Sequence, residues 1–141
     1  MRVMVLVKAN EDTEAGVPPD TEMLNAMGKY NEELVKAGIM LDGNGLHPSS
    51  EGARIHFSGD ERRVVDGPFA ETKELLADYW VWEVRDMDEA IEWAKRCPNP
   101  TGAESVLELR RVYELDDFGD AVTPEVRERD ERLRSELEER S

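Results

Sequence analysis

The segment Tyr79-Trp80-Val81-Trp82-Glu83-Val84 constrains this chain more than any other. Side chains alternate across a strand, so Trp80, Trp82 and Val84 share one face and Tyr79, Val81 and Glu83 the other. An aromatic face of that kind belongs under helices of its own chain or, if it lies opposite them, under a second copy. Three further segments read as strands of the same sheet. Val3–Val7 is apolar and largely β-branched, the pattern of a strand buried on both faces. Ile39-Met40-Leu41 is a short apolar run that Asp42-Gly43-Asn44-Gly45 closes as a tight turn. Val106–Tyr113 is the last strand.

Two helices separate these strands. Asp20 or Thr21 caps the first, in which Met23, Met27, Tyr30 and Leu34 recur on one face, and Gly38 supplies a left-handed stop. A polar loop over residues 10–19 precedes it. Asp86 and Glu89 open the second helix in the manner of a capping box. Met87, Ala90, Ile91, Ala94 and Cys97 make its apolar stripe, and Pro98 and Pro100 end it. Arg54–Ser58 and Arg62–Val65, joined by Gly59-Asp60, read as an inserted β-hairpin. Without the hairpin the order is β-α-β-β-α-β, a ferredoxin-like α+β fold. Two helices cover only one face of such a sheet, so we expect a homodimer packed sheet to sheet.

The domain is expected over residues 1–113, followed by an acidic linker and amphipathic helix over 114–141. Thr123-Pro124-Glu125 is a helix start. Val122, Val126, Leu133 and Leu137 form a thin apolar seam on this extra C-terminal helix. Two readings stand: a solvated helix laced with acid–base pairs, or one that docks on a partner subunit. Across all 141 residues the net charge is −15. Such a surface disfavours nucleic acid and anionic membranes. No apolar run is long enough to span a bilayer, and the N-terminus lacks a secretory pattern, so the expected compartment is cytoplasmic. One cysteine excludes an internal disulfide framework and multi-cysteine metal sites. We expect no cofactor and no metal.

His47 and Asp66 are the candidate acid–base pair, the carboxylate orienting the imidazole. The structural alternatives are a turn histidine and an Asp that shapes the bend Asp66-Gly67-Pro68-Phe69. Arg54, Lys73 and Arg110 are candidate anion holders; Tyr79, Trp80 and Trp82 are candidates for an aromatic ligand wall, or else core and interface residues. Cys97 lies on the apolar stripe near a helix C-terminus, where no positive dipole activates a thiol.

The runs Leu41-Asp42-Gly43-Asn44-Gly45-Leu46-His47-Pro48 and Asp66-Gly67-Pro68-Phe69-Ala70-Glu71-Thr72-Lys73-Glu74 resemble the YCII-related (DGPF-domain) family. The similarity continues through Tyr79–Val84 and Asp88–Ala94 to Cys97-Pro98, covering roughly residues 1–113. It implies a ferredoxin-like fold of the dimeric α/β barrel type. It also implies an active site built on a His–Asp pair. The wider superfamily carries its histidine on the first helix, where this chain has Tyr30-Asn31. In the DGPF branch His47 and Asp66 match motif positions, so the resemblance makes them the candidates for such a pair. A few relatives are dehydrochlorinases or lactone dehalogenases, which implies acid–base chemistry on a small metabolite without a cofactor. The alternative it implies is a non-enzymatic stress-response or regulatory partner associated with an extracytoplasmic-function sigma factor.

Overall fold

A computed structural model describes residues 1–99 and 104–140. Its elements are β1 (Arg2–Lys8), α1 (Glu11–Glu14), α2 (Thr21–Lys36), β2 (Met40–Gly45), β3 (Ala53–Ser58), β4 (Glu61–Asp66), β5 (Leu76–Glu83), α3 (Met87–Lys95), β6 (Leu107–Arg111) and α4 (Pro124–Arg140). The four-stranded sheet runs β2-β5-β1-β6, every neighbour antiparallel. With α2 and α3 joining its strands, this is the ferredoxin-like arrangement. Strands β3 and β4 pair separately as a hairpin, from Ala53 opposite Asp66 to Ser58 opposite Glu61.

Register decides which side chains meet the helices. Val3, Val5 and Val7 of β1 face Trp82, Trp80 and Asp78 of β5, and β6 adds Leu107 and Leu109 to that face. The valines and Trp82 are essentially inaccessible and pack with Tyr30 and Leu34 of α2 and Ala90 of α3. Both indoles therefore lie on the helix side. The outer face of β1 carries Met4 and Leu6, which are only partly covered, so the expectation of a strand buried on both faces holds for one face. Trp82 has no accessible surface, which removes it from the candidate ligand wall.

Local chemistry explains the helix ends. The Asp20 side chain accepts the Met23 N–H at 2.8 Å, and Gly38 takes a φ of 73° after the last turn of α2. Asp86 accepts the Glu89 N–H at 2.9 Å, while the Glu89 carboxylate turns back to the Arg85 N–H at 3.0 Å. Ile91 is exposed, unlike the rest of its expected stripe. The buried side of α3 is rotated toward Trp93, which packs on the core under the guanidinium of Arg96. Pro100, the second proline expected to close this helix, lies outside the described residues.

Two segments depart from the sequence reading. The loop before α2 contains α1, closed by Asn10 and Thr13 as reciprocal caps. Asp42–Gly45 is strand, not turn: it pairs with Asp78 to Val81 of β5, with a register shift after Met40. Glycine disfavours strands in isolation, but a paired edge position beside a large aromatic overrides that preference.

The chain separates into two compact units, Met1–Arg111 and Val112–Ser141. In the second, Tyr113 stacks on Phe118 at 4.9 Å and Arg127 pairs with Asp116 at 2.9 Å. The Thr123 hydroxyl caps α4 by accepting the Val126 N–H at 3.2 Å. Among the described residues no helix is long and apolar enough to cross a membrane.

The bend after β4 is held by close backbone contact. Gly67 donates its N–H to Gly52 at 2.9 Å, and a Cβ placed on Gly67 would fall 1.7 Å from the Ser49 carbonyl oxygen. Backbone cannot yield there as a side-chain tip could. Gly67→Ala should therefore lower unfolding free energy by about 1–3 kcal/mol. The measurement is a urea titration, expected to show a lower midpoint at unchanged slope; a midpoint equal to the parent's would refute the contact.

Candidate functional site

Beyond Met40, which packs on the core opposite Trp82, the inner face of β2 carries no side chain. Its inward positions there are Gly43, opposite Trp80, and Gly45, opposite Asp78. A Cβ on Gly43 would meet the Trp80 ring at 2.6 Å, and one on Gly45 would come within 3.1 Å of an Asp78 carboxylate oxygen. The space left between this bare edge and α2 is a chamber of about 220 Å³, lined by Val7, Met23, Leu24, Met27, Asn31 and Trp80, with Asp78 on its floor. Asn31 holds the indole in place, its Oδ1 accepting the Trp80 Nε1–H at 3.0 Å. That bond leaves the Asn31 amide nitrogen as a donor.

Through Pro19, Met23, Leu24, Gly45 and Asp78 the chamber continues into a wider depression of about 760 Å³. Its outer wall is formed by Asn10, Asp12 and Thr13 around α1, by residues 16–20, and by Leu46-His47-Pro48. The two parts share five residues and form one cleft. Another depression, along α3, is lined by Arg85, Glu89, Glu92 and Lys95. Those charges are paired with one another, Arg85 to Glu89 at 3.1 Å and Lys95 to Glu92 at 3.3 Å, so it offers less unsatisfied chemistry.

Asp78 is the unusual group. It is half-buried, and among the described residues its side chain makes no hydrogen bond and no ion pair. Burial pushes its carboxyl above the usual carboxylate range. Nearby, burial pushes the Cys97 thiol up to about 12, and the negative charge of Asp78 adds to that. The Cys97 S–H donates to the Pro98 carbonyl at 3.1 Å. This thiol stays protonated at neutral pH and is inert as a nucleophile. A carboxyl with raised proton affinity, open to a cleft and without a counter-charge, is suited to accept or donate a proton. Among the described residues no three His, Cys, Asp or Glu side chains converge as a metal-holding group.

The residues singled out from the sequence are dispersed. His47 borders the outer cleft, but its Nδ1 lies 3.0 Å from the Glu51 carboxylate and the ring is largely exposed. Asp66 ends β4 opposite Ala53 and has no side-chain partner among the described residues, so no hydrogen bond or ion pair joins it to His47. Arg54 stacks over Phe69 at 3.9 Å, Arg110 pairs with Glu108 at 3.3 Å on the outer sheet face, and Lys73 is exposed. None of these three lines the cleft. The Tyr79 hydroxyl donates to Asp42 at 2.9 Å and accepts from Asn44 at 3.1 Å. Of the aromatic trio Tyr79 and Trp80 are both among the residues lining the chamber, Trp80 with its ring on the helix side of the sheet.

Asp78 was legible by one signal. Extending the alternation of Trp80, Trp82 and Val84 backward puts a carboxylate at the next core-facing position. The bare strand was not legible, because Gly43 and Gly45 read first as turn residues.

The family model of the YCII-related domain matches residues 1–116. An uncharacterized protein of Rhizobium meliloti (strain 1021) is 30% identical over 91 residues, 64% of this chain and 73% of that protein. A solved structure of 5-chloro-2-hydroxyhydroquinone dehydrochlorinase from Burkholderia phenoliruptrix AC1100, in complex with 2,5-dihydroxybenzoquinone, is 18% identical. It covers 81% of this chain and 96% of its own, at a TM-score of 0.44. The fold assignment rests on the strand order of this chain's own sheet.

The raised Asp78 carboxyl has a consequence for stability. Its folded proton affinity exceeds the ordinary value of 3.8, so the folded state prefers the neutral form. The favourable contribution is complete below the unfolded value and is lost as pH rises through the folded one. Asp78→Asn never ionises. It should stabilise the fold at pH 7, with the gain shrinking as pH falls toward 3.8. Urea titrations of both proteins across that range check this; a difference independent of pH would show that ionisation of Asp78 is not the cause.

Proposed function

This chain belongs to the YCII-related domain family, and from that premise we propose that it binds a small molecule in the cleft beneath α2 and exchanges a proton with it through Asp78. The observation that carries the reading is a half-buried, unpaired carboxyl on the floor of a chamber whose walls are otherwise largely apolar. Trp80 and Met27 supply a surface for an apolar body, the Asn31 amide offers a donor, and Asp78 supplies the titratable group. His47, at the outer wall beside Glu51, is placed to meet the ligand at entry rather than to share a proton with Asp66. The seat requires no cofactor for simple proton transfer.

A ligand screen by heteronuclear NMR tests this. Hits should move the Trp80 indole N–H and the Gly43 and Gly45 amides together. Their affinity should change with pH through an apparent pKa above 3.8, and that pH dependence should vanish in Asp78→Asn. Hits that move only the Arg85–Arg96 surface, or a pH profile retained by the variant, would overturn the reading.

We also infer that two copies pack sheet to sheet. Met4, Leu6 and Val81 form a partly covered apolar centre on the outer face, with Met4 directly opposite Val81. Charged groups ring it: Lys8 lies 3.4 Å and Arg110 3.3 Å from Glu108. The hydrogen bond from Arg110, with the charge of Lys8, holds the Glu108 carboxyl below the usual range. An apolar centre inside a polar rim is the common anatomy of an interface. Sedimentation velocity at tens of micromolar should show twice the chain mass, and Leu6→Asp should halve it while preserving the far-UV spectrum. A parent protein that sediments as a monomer would sink the proposal.

A further inference from the structure

We propose that the cleft selects a small organic cation: an ammonium group carried on an apolar body, with the ammonium against Asp78. The inference rests on the reading of the cleft as a ligand seat and adds the class of ligand.

The charge of the lining points to that class. Three carboxylates face the cleft, Asp12, Asp20 and Asp78, and neither a lysine nor an arginine is among its lining residues. The imidazole of His47 is the one lining side chain able to take up a positive charge, and the Glu51 carboxylate 3.0 Å away already answers any charge it carries. The positive end of α2 is no anion seat either, since Asp20 caps it through the Met23 N–H. An anion entering here meets like charge without a partner, inside a chain of net charge −15 that repels it from a distance. A neutral ligand leaves the Asp78 carboxylate desolvated and unanswered. A cation supplies what the site lacks, a counter-charge for a carboxylate already stripped of part of its water.

The walls suit the rest of such a molecule. Met23, Leu24, Met27 and Val7 offer apolar contact, and Trp80 adds an indole of the kind that attracts cations. The inner chamber of about 220 Å³ corresponds to about seven water volumes. That is room for a benzyl or short alkyl group.

Three near-isosteres form the test: benzylamine, benzyl alcohol and benzoate, titrated into the full chain and into Asp78→Asn with the Trp80 indole N–H as reporter. Benzylamine should bind roughly tenfold or more tightly than benzyl alcohol, the worth of a charge-assisted hydrogen bond. Benzoate should bind weakest, and Asp78→Asn should erase the preference for the amine while keeping a native indole signal. If the alcohol or benzoate binds as well as the amine, or the preference survives in the variant, the cation inference fails and the ligand seat stands. If none of the three moves the reporter but other compounds do, the cation inference again fails and the seat is kept. If nothing moves it, seat and cation fall together.

Discussion

The contact between the inner sheet face and the helices is what the rest of the molecule depends on. Trp80 and Trp82 lie 5.8 Å apart on that face, over the valines of β1, with the Tyr30 ring edge-on to Trp80 at 6.0 Å. The Tyr30 hydroxyl reaches across to the Trp93 carbonyl at 2.6 Å and ties α2 to α3. Burial pushes the Tyr30 hydroxyl to higher pKa, so it remains a donor. The Trp82 Nε1–H is buried without a partner among the described residues. An orphaned donor costs about 1–3 kcal/mol, while burying an indole contributes up to about 4–6 kcal/mol by area. Packing outweighs the missing hydrogen bond, which is why the second tryptophan is tolerated there.

The cleft is a consequence of the same contact. Trp80 leans over Gly43, which has room for it only because glycine lacks a Cβ. The next inward position of β2 is also glycine, so the chamber stays open down to Asp78. Filling it with side chains would improve packing; keeping it open and placing an unpaired carboxyl in it works against stability. Such local cost is common where a protein binds or reacts.

The most distinctive sequence block has a supporting part. The Glu14 carboxylate accepts from the Ser49 hydroxyl and, at 3.0 Å, from the Ser49 N–H. The Ser49 hydroxyl oxygen in turn accepts the Phe69 N–H at 3.1 Å. This chain of hydrogen bonds fastens the bend at residues 66–69 to the turn after β2 and to α1, which bears on the outer wall of the cleft. The bend therefore organises the approach to the cleft without lining it.

The amino-acid pattern by itself determined the ferredoxin-like order, the caps at Asp20 and Asp86, the hairpin and the family resemblance. Each follows from periodicities and end signals contained within a few residues. Which face of the sheet the indoles occupy was decided only when β1, β5 and the helices came together, because alternation defines two faces without saying which is covered. The same holds for the site. His47 and Asp66 stand out in a motif, yet pairing depends on how two separate turns meet in space: the turns are fastened together through Ser49, but the two side chains form no hydrogen bond or ion pair. Asp78 and the glycines of β2 are thirty-odd residues apart in the chain. Only strand pairing sets one opposite the other and makes their neighbourhood a cleft.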